Sequence, residues 1–292
     1  MKLNKNSETT ILIVGLGLLG GSYAKALKKK GYTVIAIEKR QSAIDYALEN
    51  EIIDEGMSTV DRAFISRASL VVFALYPKVF LRWIDEFASL FKAGVILTDV
   101  TGVKSCIVDE VQSKLPDGVE FIAAHPMAGR EVYGVENSDD RIFQNANFIV
   151  VPTEKNTQEG IDTCKELGRE LGFSDISVLS AKKHDEMIAF LSQLTHCIAV
   201  SLMCASDDDG IVHYTGDSFR DLTRIARINE DMWTELFMLN RSPLLYEMEN
   251  FSKQFERLYS ALKDGDEETM KEMMKLSTRR RALFDKKGND KK

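Results

Sequence analysis

The stretch Ile11-Leu-Ile-Val-Gly15-Leu-Gly17-Leu-Leu-Gly20-Gly-Ser22 decides the fold of this chain. It opens with an apolar strand pattern, and the residues that follow it, 22–30, have a helical pattern. Between the two stand four glycines, and three of them have the dinucleotide-binding spacing: Gly15 allows a tight turn, Gly17 lets backbone approach a pyrophosphate, and Gly20 lets helix pack against strand. A pyrophosphate would then lie at the N-terminus of the helix, where free N–H groups face the anion. The stretch predicts a dinucleotide site; the alternative is a tight strand–helix turn without a ligand.

The residues after the second predicted strand bear on which dinucleotide is bound. This strand, 33–37, is followed at once by Glu38. A carboxylate there suits the ribose hydroxyls of NAD and repels the extra phosphate of NADP. Lys39 and Arg40 come next and would favour that phosphate instead. The expectation is NAD, with NADP kept as the alternative.

The rest of the first half repeats the alternation of strand and helix. Short apolar strands are predicted at 70–75, 95–98, 121–124 and 148–151, and helical patterns separate most of them. This alternation is typical of a doubly wound parallel sheet. After Pro152 the patterns are mostly helical. We therefore predict an α/β Rossmann-type domain over residues 1–152 and a mostly α-helical domain over residues 153–292, a kind of domain that often provides a dimer interface.

The composition is that of an ordinary globular protein, with 44% hydrophobic and 28% charged residues among 292. A net charge of -7 argues against nucleic acid or an anionic membrane surface as the main partner. We see no run of about 18 apolar residues, so no membrane span is predicted. Residues 1–8 are polar and lack a signal region, which predicts a cytoplasmic protein. The four cysteines show no paired spacing, so reduced thiols and no metal site are expected.

Chemically active side chains follow three of the predicted strands. They are Tyr76, the segment Asp99-Val-Thr-Gly-Val-Lys104, and His125. Ligands of an open parallel sheet bind outside the carboxyl ends of its strands, so these side chains should line one crevice beside a nicotinamide. The imidazole of His125 predicts proton transfer coupled to hydride transfer. Singly, Lys104 also fits a solvated loop lysine and Asp99 a helix N-cap. The predicted cofactor-binding residues are Gly15, Gly17, Leu18, Leu19, Gly20, Glu38, Lys39, Arg40, Tyr76, Asp99 and Thr101.

A predicted helix at 185–204 has two faces. At about 100° per residue, Ser192 and His196 fall within roughly 20° of Asp185. Apolar residues lie on the opposite side, where they would face a helical core. The polar side either faces water or forms part of a site. Serine and histidine are unusual on a solvated face, where lysine and glutamate are common, and this favours a site.

A predicted helix at 218–229 carries three arginines. Arg220, Arg224 and Arg227 fall on one stripe within about 40°. Like charges in one stripe repel one another unless anions neutralise them. The guanidinium group matches a carboxylate in two-point geometry, so the stripe predicts a carboxylate ligand. The alternative is a salt-bridged surface helix, for which Asp217 and Asp221 supply the acids.

Taken together, these segments resemble the prephenate dehydrogenase family of tyrosine biosynthesis, which has arogenate dehydrogenases as close relatives. The resemblance covers nearly the whole chain, and the order and spacing of its motifs make it more specific than a dinucleotide fold alone. The motifs are residues 14–22, His125-Pro-Met-Ala-Gly-Arg-Glu131, Ser192-Gln-Leu-Thr-His196, Phe219-Arg-Asp-Leu-Thr-Arg-Ile-Ala226 and Met232-Trp-Thr-Glu235.

The resemblance implies NAD-dependent oxidative decarboxylation of prephenate to 4-hydroxyphenylpyruvate. Hydride leaves C4, the C4 hydroxyl loses its proton, and CO2 leaves C1. In the family, the histidine matching His125 takes the hydroxyl proton and the arginine matching Arg224 binds a carboxylate. The serine and histidine matching Ser192 and His196 contact the substrate.

Further positions are assigned through the same resemblance. Asp185, Asp221, Glu131 and Trp233 match residues that gate or support the site, and the helical domains of the family pair into a homodimer. We predict His125, Ser192, His196 and Arg224 as catalytic residues, and Arg224, His196, Ser192, Arg130 and Trp233 as substrate-binding residues.

Two positions depart from the family pattern. The serine that supports the catalytic histidine in the family is replaced by Gly102, preceded by Thr101. Either Thr101 substitutes, or His125 is oriented by backbone or water. Arg130 stands where many relatives have threonine or serine, and it would add a carboxylate contact or alter the choice between prephenate and arogenate.

Three other functions remain as alternatives. Arogenate dehydrogenase activity differs only in an amine on the substrate. Another two-domain hydroxy-acid dehydrogenase would use a lysine on the first helix of its second domain, where this chain offers Lys182 and Lys183 only at the start. A nicotinamide-sensing module without turnover would not need polar groups at both the strand ends and the helix faces.

Overall fold

The computed structural model describes residues 9–284 of the chain. Residues 1–8, on which the prediction of a cytoplasmic protein partly rests, lie outside the described residues. The chain forms two compact units, Met1–Arg241 and Ser242–Lys292. The first contains every strand of residues 9–284 and the predicted site, and the described residues of the second, 242–284, are mostly helical.

The glycine-rich stretch opens a parallel sheet. Within residues 9–284 this sheet has six strands in the order β3-β2-β1-β4-β5-β6. The order reverses between β1 and β4, where an open parallel sheet forms a crevice for ligands. The strands are β1 (Thr10–Val14), β2 (Thr33–Ile37), β3 (Glu55–Met57), β4 (Leu70–Phe73), β5 (Ile96–Asp99) and β6 (Glu120–Phe121).

Alternation along the strands buries both faces of this sheet. Ile11 and Ile13 of β1 contribute to one apolar core, while Leu12 and Val14 contribute to the other. All four side chains are almost completely buried. A strand buried on both faces reads as a continuous apolar run, which explains why the strands of this sheet were recognisable in the sequence. The predicted α/β Rossmann-type fold is confirmed.

Helices of the first unit pack against the sheet, and helices make up most of the described chain after residue 180. They are α1 (Leu18–Lys29), α2 (Gln41–Glu49), α3 (Arg62–Ile65), α4 (Pro77–Phe87), α5 (Val108–Lys114), α6 (Gln158–Leu171), α7 (Ala181–Ile188), α8 (Thr195–Met203), α9 (Asp217–Thr223), α10 (Glu230–Leu239), α11 (Arg241–Asp264) and α12 (Glu267–Arg281). Helix α1 begins at Leu18 rather than at the predicted Ser22, so its N-terminus lies directly behind Gly17.

A second, three-stranded sheet holds His125. It consists of β7 (Ala123–Pro126), β8 (Asn147–Val151) and β9 (Asp175–Val178). Strand β7 runs antiparallel to β8, with His125 opposite Ile149, and β8 runs parallel to β9. The predicted domain boundary near residue 152 stays a prediction; α6 and β9 follow it, and β9 pairs with β8.

The prediction that His125 follows a strand of the parallel sheet is wrong. Strand β6 pairs with β5 through Glu120 and Phe121 only, and the chain then continues into β7. His125 lies inside β7. An apolar run shows that a strand is buried but not which neighbour it pairs with, so the sequence pattern did not reveal this change of sheet.

The predicted helix at 185–204 is not one regular α-helix. Between α7 and α8 the residues Ala189–Leu194 form a π-helical segment. A π segment adds backbone per turn and therefore shifts the faces that a count of 100° per residue assigns. A count of 100° per residue from Asp185, which is buried, therefore does not give the direction of Ser192, which is half-buried.

The same stretch, Ala181–Met203, is long and apolar enough by length and composition to cross a membrane, with a mean hydropathy of 1.4. The sequence analysis did not recognise it as such a run. It contains three buried polar side chains, His184, Asp185 and Gln193, which are hydrogen-bonded to neighbouring segments. Such bonds are typical of a helix packed within a protein. The absence of a membrane partner stays a prediction.

Candidate active site

Three glycines after β1 form the predicted dinucleotide loop. Gly15 has a φ of +98°, and a Cβ added there would lie 2.6 Å from the Ala74 carbonyl oxygen. A Cβ on Gly20 would lie 1.9 Å from the Gly15 carbonyl oxygen. A Cβ on Gly17 would have nothing within 4 Å. Gly15 and Gly20 are therefore required by packing, whereas Gly17 leaves space beside the backbone.

The N-terminus of α1 faces this space. Gly17 is its N-cap and provides no side-chain cap, and the first turn contains no acidic residue. Leu18 and Leu19 form that first turn and are half-buried. Backbone N–H groups without a side-chain cap at a helix N-terminus bind anions such as pyrophosphate. The loop therefore fits the predicted cofactor at its phosphates.

Glu38 lies at the end of β2 and contacts the loop directly. Its Oε2 accepts a hydrogen bond from the Leu16 N–H at 2.8 Å, and its Oε1 accepts one from Arg40 Nε at 3.2 Å. Arg40 and Lys39 are exposed. The Glu38 carboxylate lies where the ribose of a bound dinucleotide is expected, and the Arg40 guanidinium lies beside it. The structure therefore retains both the acidic residue that favours NAD and a basic residue that favours NADP.

Tyr76 lies three residues after β4 and serves as the N-cap of α4. It forms a hydrogen bond with Asn229, and burial, followed by the neighbouring Tyr133, raises its pKa above the usual range. At the same place the Lys78 N–H donates to Glu235 Oε1 at 2.7 Å. Tyr76 therefore lies between the parallel sheet and the residues around α10, and its role in binding the cofactor stays a prediction.

Asp99 and Lys104 form a buried ion pair beneath the predicted site. Lys104 Nζ lies 2.7 Å from Asp99 Oδ2, and both side chains are fully buried. Lys104 Nζ also donates to the Ala124 carbonyl oxygen at 2.6 Å, while Asp99 Oδ1 accepts from the Ala124 N–H at 3.0 Å. These bonds join β5 to β7 one residue before His125.

Thr101 belongs to the same buried network. Its hydroxyl donates to Asp99 Oδ2, and its oxygen lies 3.0 Å from the Val103 carbonyl oxygen. Asp99 and Thr101 were predicted to bind the cofactor, but the structure buries both below the crevice and bonds them to protein groups. Lys104 is equally buried, so it is not a solvated loop lysine.

His125 is oriented by a residue that the sequence analysis missed. Its Nδ1 lies 2.9 Å from Nε2 of His184, the fully buried histidine of α7. His184 Nδ1 in turn lies 2.8 Å from Asp185 Oδ1. Asp185 accepts from the Lys104 N–H at 2.9 Å and from the Ser105 N–H at 2.8 Å. Hydrogen bonds through His184 and Asp185 thus connect His125 to Lys104 and Ser105 in the segment between β5 and α5.

This arrangement answers the question that Gly102 raised. The Thr101 hydroxyl bonds to Asp99 and Val103, so Thr101 does not replace the missing serine. A Cβ on Gly102 would lie 3.9 Å from His125 Cε1. The signal that pointed to His184 was its place directly before Asp185, as one of the four histidines of the chain. It was missed because the count of helix faces began at Asp185 and because its partner, His125, is 59 residues away in the sequence.

His125 and His184 are both neutral at neutral pH. Burial lowers the pKa of His125 well below its usual range, and the nearby His184 and Lys104 add to the effect. Burial likewise lowers the pKa of His184, against the opposing hydrogen bond to Asp185. A neutral imidazole can accept a proton, so the state of His125 suits a general base.

His196 and Trp233 form a second cluster. Their rings are stacked, with centroids 3.7 Å apart and planes inclined by 29°. His196 Nδ1 donates to the Ser192 carbonyl oxygen at 2.8 Å. Burial lowers the pKa of His196, and among the charged groups that act on it are Glu131 and Arg224. These predicted substrate residues therefore come together.

Arg224 pairs with Glu131 from the loop after β7. Its Nη1 lies 2.6 Å from Glu131 Oε1, and 64% of the Arg224 side chain is exposed. The predicted arginine stripe is not continuous, because α9 ends at Thr223 and a 3-10 turn, Arg224–Ala226, follows. Arg220 pairs with Asp217 at 2.9 Å. Only Arg224 of this stripe is thus connected to the residues around His196.

Arg130 is not brought to this cluster. Its Nη2 lies 3.1 Å from Asp139 Oδ2, and half of its side chain is exposed. It lines a surface cleft of about 610 Å³ together with Lys25, Lys28 and Lys29 of α1. The role of Arg130 in substrate binding stays a prediction that these contacts do not support.

Comparisons with known proteins agree with this arrangement. Residues 23–177 match the family model described as the nucleotide-binding domain of prephenate dehydrogenase, and residues 180–276 match its dimerization domain. The chain is 33% identical over 258 residues to a prephenate dehydrogenase of Lactococcus lactis, which covers 85% of this chain and 70% of that protein. It is 28% identical over 273 residues to the prephenate dehydrogenase of Bacillus subtilis, covering 90% and 72%.

Solved structures show the same fold. The prephenate dehydrogenase of A. aeolicus in complex with hydroxyphenyl propionate and NAD+ superposes with a TM-score of 0.81 at 25% identity, covering 94% of this chain and 98% of that one. The arogenate dehydrogenase of Synechocystis gives a TM-score of 0.81 at 23% identity, covering 95% and 100%. With both family models matched in order along its length, the chain belongs to the prephenate dehydrogenase family of oxidoreductases.

Proposed function

We propose that this protein catalyses the NAD-dependent oxidative decarboxylation of prephenate to 4-hydroxyphenylpyruvate, a step of tyrosine biosynthesis. Family membership supports this activity. The observation that carries the chemistry is a neutral, half-buried His125 held by the buried His184. Such a histidine can remove a proton from an alcohol without first losing one itself.

The glycine loop fits a bound NAD at its pyrophosphate, and Glu38 fits the adenosine ribose. NAD, when bound, supplies the hydride acceptor for C4 of the substrate. In the proposed reaction His125 accepts the proton of the C4 hydroxyl as hydride leaves C4. The bond from C1 to its carboxylate then breaks, its electron pair moves through the ring to the C4 oxygen, and CO2 leaves. His125 returns the proton to that oxygen, which gives a phenol.

Arg224 is proposed to bind a carboxylate of prephenate. Its guanidinium is exposed and already holds a carboxylate, that of Glu131. A substrate carboxylate would replace or share this partner, and the paired geometry favours carboxylates over other anions. Because the chain has a net charge of -7, a local cation is needed to attract a substrate with two carboxylates.

Ser192, His196 and Trp233 are proposed to shape the substrate pocket. The bond from His196 Nδ1 to the Ser192 carbonyl leaves Nε2 of a neutral His196 as an acceptor. The stacked Trp233 fixes the plane of that imidazole. A ring that is held on one side by backbone and on one face by an indole presents its free nitrogen in a constant direction.

Arogenate is the second candidate substrate. The chain is 28% identical to the cyclohexadienyl dehydrogenase of Zymomonas mobilis over 279 residues, covering 93% of this chain and 94% of that protein. Arogenate carries an amine where prephenate has a ketone. The proposed roles of His125 and Arg224 are the same for both substrates.

We also propose that the protein is a cytoplasmic homodimer that pairs through its helical part. The match to a dimerization domain over residues 180–276 supports the pairing. Helix α11 carries exposed large apolar side chains that suit an interface: Leu245, Tyr246, Met248, Phe251, Phe255, Leu258, Tyr259 and Leu262. The predicted absence of nucleic-acid and membrane partners remains a prediction.

The activity is tested by mixing the protein with prephenate and NAD and following the absorbance of NADH. Parallel reactions replace prephenate by arogenate, and NAD by NADP. We expect the highest kcat/KM with prephenate and NAD. Preference for arogenate would move the assignment to the second candidate, and no reduced cofactor from either substrate would refute the proposed function.

A further inference from the structure

We propose that His184 and Asp185 are positioning residues that fix the tautomer of His125, with the proton on Nδ1 and the lone pair on Nε2. This inference rests on the proposed function only for its catalytic consequence. The tautomer itself follows from the hydrogen bonds among the three side chains, and the family resemblance assigned no role to His184.

Asp185 determines which nitrogen of His184 carries a proton. Two backbone N–H groups, those of Lys104 and Ser105, donate to its two carboxylate oxygens at 2.9 and 2.8 Å. Burial alone would raise the pKa of Asp185, but hydrogen bonds from His184 and Ser105 outweigh burial and lower it. The carboxylate is therefore ionised and can only accept. His184 Nδ1, which lies 2.8 Å from Oδ1, must carry a proton.

The other nitrogen of His184, Nε2, accepts a hydrogen bond from His125. The ring is fully buried and its pKa is lowered, so it is neutral. A neutral imidazole with a proton on Nδ1 has a lone pair on Nε2. His125 Nδ1 lies 2.9 Å from that lone pair. Two lone pairs at this distance would repel each other, so His125 donates from Nδ1 and its own lone pair is on Nε2.

The charged groups beside His125 and His184 leave the tautomer of His125 unchanged. Lys104 and Asp99 are both buried and form an ion pair with Nζ and Oδ2 2.7 Å apart. Lys104 lowers the pKa of both histidines, which keeps the rings neutral, but its Nζ bonds to Asp99 and so does not select between the two neutral tautomers. Lys104 Nζ is also engaged by the Ala124 carbonyl oxygen. The donors and acceptors in the chain alone therefore determine where the proton lies.

The tautomer of His125 determines which of its nitrogens can accept a proton from the substrate. Nε2 of His125 is the nitrogen that His184 does not occupy, and in this tautomer it is an acceptor for the C4 hydroxyl. In the opposite tautomer the same nitrogen would present an N–H to an O–H, and no proton could be transferred to it. When His125 is protonated, its Nδ1–H still donates to His184, and the Asp185 carboxylate stabilises the positive charge through that ring.

The hydrogen bonds from His125 through His184 to Asp185 also explain how the site functions with glycine at position 102. The family's serine would reach His125 from the segment after β5, and here that position has no side chain. His184 bonds to the same imidazole from α7 instead, and Asp185 joins α7 to that segment through the Lys104 and Ser105 N–H groups. His125 therefore needs no hydroxyl for its orientation.

The first test is nitrogen-15 NMR of the full-length protein labelled on histidine. Protonated and unprotonated ring nitrogens give well-separated signals, and the His125→Asn protein assigns those of His125. At neutral pH we expect a protonated Nδ1 and an unprotonated Nε2 in the wild-type protein. A protonated Nε2 on His125 would overturn the inference. The measurement needs no substrate, so its result is independent of whether prephenate is turned over.

The second test uses three variants in steady-state kinetics. His184→Leu removes the acceptor, whereas His184→Gln supplies a carbonyl oxygen that can accept from His125. His213→Leu is the matched control, because His213 is an exposed histidine. We expect His184→Leu to lower kcat about 100-fold with little change in KM for prephenate, and His184→Gln to restore at least about tenfold of that loss. The control should equal the wild-type protein.

Thermal unfolding of each variant separates positioning from folding. A structural role for His184 would lower kcat only in proportion to the folded fraction, and Gln and Leu would then be equally impaired; that outcome would refute the inference. If the wild-type protein gives no NADH from prephenate or arogenate but shows the expected tautomer, the proposed function fails and the inference about the tautomer holds. If the wild-type protein turns over prephenate but His125 carries its proton on Nε2, the inference about the tautomer fails and the proposed function holds.

Discussion

The cofactor edge and the proton-transfer centre of this protein are built in different ways. The cofactor edge is made of backbone: Gly15, Gly17 and Gly20 and the first turn of α1 lie within a few residues of one another. The proton-transfer centre is made of side chains from β7 and α7, with His125 and His184 separated by 59 residues. Local sequence determines the first region, while tertiary packing assembles the second.

The two regions also differ in how they tolerate change. At the cofactor edge the limit is space, since added atoms at Gly15 or Gly20 would meet backbone. At the proton-transfer centre the limit is the direction of hydrogen bonds, since a residue of similar size with the wrong donor or acceptor would change which nitrogen of His125 is free. Substitutions in the first region should act on folding and cofactor binding, and those in the second on kcat.

The largest effect is expected for His125→Asn. Asparagine keeps a polar group of similar size but cannot accept a proton at neutral pH, so kcat should fall about 10²- to 10⁴-fold. Binding of NAD, measured by calorimetry, should persist because the glycine loop is unchanged. The control is His213→Asn at an exposed position. Unchanged turnover in His125→Asn would exclude His125 as the proton acceptor.

Arg224→Ala should act on substrate binding more than on the chemical step. Loss of a charge-assisted hydrogen bond costs about 1.5–3 kcal/mol, which corresponds to about a 10- to 100-fold rise in KM for prephenate. Arg220→Ala provides the matched control, because Arg220 lies one turn away and pairs with Asp217. Equal KM values for the two variants would contradict the carboxylate-binding role of Arg224.

A pair of glycine variants tests the cofactor edge. In Gly20→Ala the new Cβ would lie 1.9 Å from the Gly15 carbonyl oxygen, so we expect the free energy of unfolding to fall by about 1–3 kcal/mol. In Gly17→Ala the new Cβ has no neighbour within 4 Å, so Tm should stay the same while KM for NAD rises. If Gly17→Ala bound NAD as tightly as the wild-type protein, the pyrophosphate would not lie against Gly17.

The smallest effect is expected for Gly102→Ser, which restores the residue that the family usually has. Its Cβ would lie 3.6 Å from both Leu236 Cδ atoms and 3.9 Å from His125 Cε1, which are ordinary contacts. Because His184 already bonds to His125, kcat should change less than about threefold. A tenfold gain would mean that His184 orients His125 less well than a serine does.

Much of the fold was predictable because it depends on local pattern. The β1 strand, the glycine loop and the alternation of strand and helix that follows were predicted from local sequence, and helical periodicity predicted most of the second half. Two features were not readable. The change of sheet between Phe121 and Ala123 depends on which strands pair, and the π-helical segment Ala189–Leu194 altered the helix faces without any sequence signal that we recognised.

The candidate site was predicted in part for the same reason. His125, Arg224, His196 and Trp233 stand in motifs. In the structure they fall in two groups, one around His125 and one that contains the other three. His184 was missed because its importance lies in a contact with a residue far away in the sequence. Asp99 and Thr101 were identified as part of the site, but their burial, and thus their role beneath the crevice, depends on the packing of β7 against β5.

The pH dependence of kcat/KM for prephenate tests the central claim most directly, because it reports the protonation state of His125 in the free enzyme. His125 must be neutral to accept a proton, so activity is full above its pKa and is lost as the pH falls through it. Burial, His184 and Lys104 lower that pKa below the usual value of about 6.5. We predict an acidic limb centred below about pH 6.5 that is absent from the residual activity of His125→Asn. A limb at or above that pH, or one that persists in His125→Asn, would contradict the account.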